Sequence, residues 1–164
     1  VGQYALFKES KVPGAHIIFN NLYGPEDNFD PLHAHVVAAL INKFHKAKKE
    51  GTPVNVWGDG SAERELLYID DAVEGILRTL LKQREGFELL NIAHGKPVKI
   101  RDVVSAVSQA FQYDRIEYDR SKPTGAKLKS LNPEKCRRLL NWLPQTQLKD
   151  GIQKTVQWYH KEKL

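Results

Sequence analysis

The chain has 164 residues, 41% hydrophobic and 27% charged, enough for one globular domain or for one piece of a larger protein. No apolar run reaches the length of a membrane span and no charged-then-apolar leader opens the sequence, while the single cysteine, Cys136, excludes an intrachain disulfide framework; the expectation is a cytoplasmic protein that engages no membrane. A formal charge of +5 and a pI near 9.2 favour anionic partners, but the basic clusters Lys43, Lys46, Lys48, Lys49 and Arg137-Arg138 lie in helical patterns without interleaved aromatics or a nucleic-acid-binding signature, so no nucleic-acid partner is expected.

In chain order, residues 2–10 read as the end of a helix, broken by Pro13-Gly14, and residues 15–20 as a near-continuous apolar strand of the buried type. A chain that starts inside a helix and contains no methionine fits a piece of a longer protein. The segment "NNLYGPEDNFDPLHAH" is a loop dense in Gly, Pro, Asn and Asp. It leads into a helix over about 36–48, with Val37, Leu40, Ile41 and Phe44 on one face.

The next stretch, "VNVWGDGSAERELLYIDD", runs over 54–71. Val54 and Val56 alternate as a short strand that delivers Trp57 to its end, and Gly58-Asp59-Gly60 is a tight turn needing positive φ. A second strand over 65–69, with Arg64 at its mouth, would complete a hairpin. An aromatic plane and a guanidinium at one loop suit a planar, anionic ligand such as a nucleotide, because tryptophan stacks a ring and arginine forks onto phosphate oxygens. The same residues also fit a core tryptophan beside a surface arginine, which local sequence alone favours.

Asp70 or Asp71 then caps a helix whose Val73, Ile76, Leu77, Leu80 and Leu81 are expected to face inward. A strand over 87–92, an amphipathic helix over 100–111 and a brief strand over 116–118 follow, before the polar loop "DRSKPTGAKLKS". Asn132-Pro133-Glu134 opens a short helix through Leu140, and a last helix covers 148–159. The fold class is mixed α/β, with no internal repeat or linker.

The segments "NNLYGPEDNF", "HAHVVAALINKFHKAK", "VWGDGSAERELLYIDD", "YDRSKPTGAKLK" and "LLNW" occur in an order and spacing that resemble the GDP-L-fucose synthase family, extended short-chain dehydrogenase/reductases acting on nucleotide sugars. The resemblance runs over almost the whole chain. It implies the C-terminal, nucleotide-sugar-binding part of such an enzyme, with residues 1–34 contributing the end of a Rossmann helix, one strand of the Rossmann sheet and an active-site loop, and residues 35–164 forming the substrate domain. The family's glycine-rich turn, catalytic serine and cysteine, and Tyr-x-x-x-Lys pair are not found here; Tyr4 and Lys8 have the last spacing only where a helix is ending.

By the same resemblance, Asn21 and Leu22 match the stretch lining the nicotinamide side of NADP, although Phe19-Asn20 departs from the commoner Pro-Thr. His35 matches the catalytic acid/base histidine and also lies on the cofactor side; imidazole suits proton exchange near neutral pH. The neighbouring His33 falls off the matching position, and with no Asp, Glu or Cys at ligand-like spacing beside this His-x-His pair, no metal is expected. Lys43 follows His35 by two helical turns, about 12 Å, so one helix can address both the sugar and the diphosphate. Trp57 and Arg64 match positions contacting the nucleotide sugar, and Lys122 or Lys127 could close on the diphosphate or base. Asp70 and Asp71 read as a cap and a fold-fixing pair, and Cys136 as a small core residue. The implied activity of the whole enzyme is conversion of GDP-4-keto-6-deoxy-D-mannose to GDP-L-fucose with NADPH, by a homodimer, the present chain alone being inactive. Alternatives are a sibling enzyme acting on another keto-sugar nucleotide and a non-catalytic sugar-nucleotide binding module.

Overall fold

The computed structural model describes residues 2–82 and 85–163. Helix α1 (Gly2–Ser10) leads to strand β1 (Gly14–Phe19) and, through one residue, to β2 (Asn21–Tyr23). A long loop enters α2 (Val36–Glu50), which ends at Gly51 in the left-handed region, φ 66, with the Gly51 amide donating to the Ala47 carbonyl. Strand β3 (Val54–Trp57), the short β4 (Glu63–Arg64) and β5 (Leu66–Tyr68) follow, the last running directly into α3 (Ile69–Lys82). Then come β6 (Phe87–Ile92), β7 (Val98–Lys99), α4 (Ile100–Phe111), β8 (Ile116–Asp119), β9 (Leu128–Lys129), α5 (Glu134–Leu140) and α6 (Leu148–Lys163).

The strands form small, mostly parallel sheets. β1 pairs with β6 from Gly14↔Phe87 to Phe19↔Ile92, so the apolar strand read near the N-terminus has a second parallel strand beside it, where the sequence suggested one strand of such a sheet. It is half-buried rather than buried, with His16 exposed. β2 pairs with β5. The expected hairpin does not form: β3 pairs in parallel with β8, Val54↔Ile116 to Trp57↔Asp119, and β4 lies between β7 and β9. Gly58 and Gly60 do take positive φ, 77 and 73, but they hand the chain to a different sheet; the Gly58 amide continues the β3–β8 ladder by donating to the Asp119 carbonyl at 2.8 Å.

The larger core lies where α2, α4 and α6 cover β3. Val37, Leu40, Ile41 and Phe44 are buried there as their spacing requires, against Val54, Val56, Val103, Val107, Phe111, Ile152 and Val156. A smaller cluster joins Leu67, Ala72, Leu90, Ile92, Cys136, Leu140 and Trp142. Helix α3 departs from expectation. Val73, Leu77, Leu80 and Leu81 are exposed, the last two at 66% and 71%, and the buried face carries Asp71, Ala72, Gly75 and Thr79. Small residues explain the orientation: a Cβ at Gly75 would come within 2.7 Å of the Ile92 Cδ1, so glycine lets the helix backbone approach β6. Asp71 does not cap α3; its Oδ2 accepts from the Thr146 amide at 2.9 Å and fixes the segment before α6. Among the described residues no helix is long and apolar enough to cross a membrane.

Candidate functional site

Two neighbouring cavities collect most of the residues singled out by sequence. The first, about 230 Å³, is lined by Val36, Leu40, Lys43, Val56, Trp57, Arg64, Ile100, Pro123 and Thr124 among others. Alternation along β3 sends Val54 and Val56 into the core and leaves Trp57 at its end, 60% exposed. The tryptophan is therefore not a core residue. The Lys43 ammonium lies 5.1 Å from the centroid of its ring and donates to the Asn55 carbonyl at 3.0 Å, which fixes the cation against the aromatic plane. Partial burial pushes the Lys43 pKa below the ordinary 10.5.

Arg64 reaches the same cavity from β4. Its two hydrogen bonds among the described residues both leave from Nη1, to the Glu63 carbonyl at 2.7 Å and the Ala126 carbonyl at 2.6 Å, so the Nη2 and Nε side of the fork is available to a ligand. Gly125 makes room for it, since a Cβ there would sit 3.2 Å from Nη2. Lys122 is not among the lining residues; the same loop contributes Pro123 and Thr124 instead. Two similar turns follow the paired strands β3 and β8. Asp59 accepts from the Ser61 amide and hydroxyl at 2.9 and 2.6 Å, and Asp119 accepts likewise from Ser121 at 3.0 and 2.5 Å. These hydrogen bonds hold both carboxyls below the usual carboxylate range.

The second cavity, about 540 Å³, is lined by Phe19, Asn20, Asn21, Leu22, Asp27, His35 and Lys129. It unites the three residues assigned to the cofactor side, Asn21, Leu22 and His35. His35 is the N-cap residue of α2, exposed and without a side-chain capping bond, so its imidazole is not spent on the helix end. The Asn21 side-chain Nδ2 donates to the Glu65 carbonyl at 3.1 Å and ties β2 to the strand region beside the first cavity. Consecutive residues, His35 and Val36, line the two cavities.

Sequence reasoning missed Asn20 and Asp27. Asn20 Nδ2 and Asp27 Oδ2 are buried without a hydrogen-bond partner among the described residues, a donor and an acceptor left open on residues that line one cavity. Burial pushes the Asp27 carboxyl up, while the Asn28 amide and then the His35 imidazole pull it back. The signal in the sequence was only that Asn and Asp crowd this loop; which single atom loses its partner is a property of the folded chain.

The NAD dependent epimerase/dehydratase family profile matches residues 4–93. The chain belongs to this family. It is 39% identical over 143 residues to GDP-L-fucose synthase 1 of Arabidopsis thaliana, covering 86% of this chain and 44% of that protein. It is 32% identical over 149 residues to GDP-L-fucose synthase of Escherichia coli strain K12, covering 85% of this chain and 46% of that protein. Among solved structures, the GDP-L-fucose synthetase of Naegleria fowleri bound to NADP superposes with a TM-score of 0.85 at 30% identity, covering 90% of this chain and 45% of that one. The chain thus spans less than half the length of these relatives, and its α/β elements are those of a Rossmann-like epimerase/dehydratase.

Proposed function

We propose that this chain forms the nucleotide-sugar side of an NADP-dependent epimerase/reductase that converts GDP-4-keto-6-deoxy-D-mannose to GDP-L-fucose. The carrying observation is the first cavity, where an exposed Trp57 ring, the Lys43 ammonium and the open side of the Arg64 guanidinium converge next to the His35 cavity. Trp57 offers a face for a planar base, and Lys43 and Arg64 offer charge to a diphosphate. A 4-keto group acidifies the protons at C3 and C5 of the sugar, and an acid/base pair on opposite faces of the ring inverts each centre through an enolate, with His35 as one member and the other supplied by the half of the enzyme outside this chain. Asn20, Asn21, Leu22 and Asp27 line the wall on which a nicotinamide would rest. A reduced nicotinamide supplies hydride for the reduction at C4 when bound.

The glycine-rich turn that binds pyrophosphate in Rossmann enzymes has no counterpart in this sequence, so the cofactor is held mainly by the half of the relatives outside the match. Accordingly the 164-residue chain binds GDP weakly and does not oxidise NADPH on its own. In the full-length protein, Arg64→Ala should weaken GDP binding in a calorimetric titration by ~1.5–3 kcal/mol, the value of a hydrogen bond to a charged group. Unchanged affinity removes Arg64 from phosphate recognition. Loss of nicotinamide absorbance with this chain and a keto-sugar nucleotide would show that catalysis runs on residues assigned here to the scaffold.

A further inference from the structure

Residues 121–130 are exposed at every position, yet this strap supplies Pro123 and Thr124 to the nucleotide cavity and Lys129 to the other. Apolar burial therefore cannot hold it in place. Ser121 and Lys122 bond back to Asp119 at its start, and further along its hydrogen bonds run to three consecutive residues. The Glu63 amide donates to the Lys127 carbonyl at 2.8 Å, Arg64 to the Ala126 carbonyl at 2.6 Å, and the Glu65 amide to the Lys129 carbonyl at 3.1 Å.

The centre of this attachment is the Glu65 side chain, which is completely buried. Its Oε2 accepts from the Ser130 hydroxyl at 2.7 Å and the Leu131 amide at 2.9 Å, and its Oε1 from the Gly95 amide at 2.5 Å. A buried carboxylate costs desolvation, and here it meets three donors from two separate segments. On the other side of the same residue, the Glu65 carbonyl accepts from Asn21 Nδ2, next to the His35 cavity.

We infer that Glu65 is a positioning residue that, through Ser130 and Leu131, fastens the exposed 121–130 strap over the nucleotide cavity and ties that cavity's geometry to the Asn21 side of the site. The inference rests on the reading of the first cavity as the GDP site. A glutamine at 65 keeps the shape but replaces an acceptor oxygen with a donor that must face Gly95, or Ser130 and Leu131, and the strap loses its tie.

The test is Glu65→Gln in the 164-residue chain, with amide hydrogen exchange and GDP titration. Exchange at Leu131 and Gly95 should rise at least about tenfold, while the Thr52 amide, which donates to the Ala47 carbonyl at the C-terminal end of α2, keeps its rate. The GDP Kd should rise about tenfold, the equivalent of one charge-assisted hydrogen bond. Equal acceleration at Thr52 would mean general loosening and overturn the assignment, as would faster strap exchange with an unchanged Kd. If the glutamine variant does not fold, Ser130→Ala removes one donor and leaves the carboxylate; faster Leu131 exchange with weaker GDP binding supports the inference, and no change in either overturns it. A wild-type chain that does not bind GDP would instead bring down the reading of the cavity, and this inference with it.

Discussion

The two halves of the molecule treat apolar surface in opposite ways. Around β3 the helices α2, α4 and α6 close over their own side chains, and Phe44 and Phe111 pack with ring centroids 5.9 Å apart in complete burial. Around β1 and β6 the cover is partial: Leu89 and one whole side of α3 face outward, although parallel strands ordinarily have both faces covered. The Trp57 cavity is walled mainly by the closed half, through α2, β3 and Ile100 of α4, with Arg64, Pro123 and Thr124 beside them. The His35 cavity is walled by the ends of β1 and β2, on the open half. The proposed nucleotide site thus rests mainly on elements whose core this chain buries by itself, whereas the proposed cofactor side rests on a layer whose outer surface it leaves exposed.

The largest effect that separates the halves is expected at Phe44. Phe44→Ala should cost about 3–5 kcal/mol of unfolding free energy in a urea titration, from lost apolar burial plus the cavity left behind. A loss below about 1 kcal/mol would mean that the closed half is not the stabilising one.

A second expectation sharpens the link between that frame and ligand charge. In the proposed site Lys43 meets phosphate as a cation, and partial burial lowers its pKa, so GDP affinity should fall as pH rises through a midpoint below 10.5. The loss should be about tenfold, one charge-assisted contact. Lys43→Arg stays protonated and should remove this alkaline limb from calorimetric titrations across pH; a limb that persists would assign the titration to another group. The smallest effect is expected on the open half. Leu81→Lys should change stability by no more than about 0.5 kcal/mol, as for other exposed positions, and a larger loss in the same urea assay would show that α3 is covered in solution.

How far each element was legible follows the same division. The apolar faces of α2 and α4 predicted their burial correctly because their partners lie within the chain and a 3.6-residue period fixes the side they occupy. In α3 an equally clear apolar stripe pointed the wrong way, since periodicity shows which side is apolar and not what covers it. The hairpin failed for a related reason: alternation identified β3, but its partner β8 begins 62 residues later by the pairing of Val54 with Ile116, and no local pattern encodes that pairing. At the site, Lys43, Trp57, Arg64 and His35 carried a chemical signature in their residue types and family resemblance. The open atoms of Asn20 and Asp27 and the triple attachment at Glu65 arise only when distant segments meet.

Gly75 also reverses the usual expectation of which positions in a helix accept change. In a library of single variants of this chain selected for folding, the leucines of α3 should accept polar replacements freely. Gly75 should reject even alanine, because the space its Cβ would need is occupied by Ile92 and the Trp142 ring. A tolerance map of this helix would then run opposite to its hydropathy, with the smallest side chain the least replaceable.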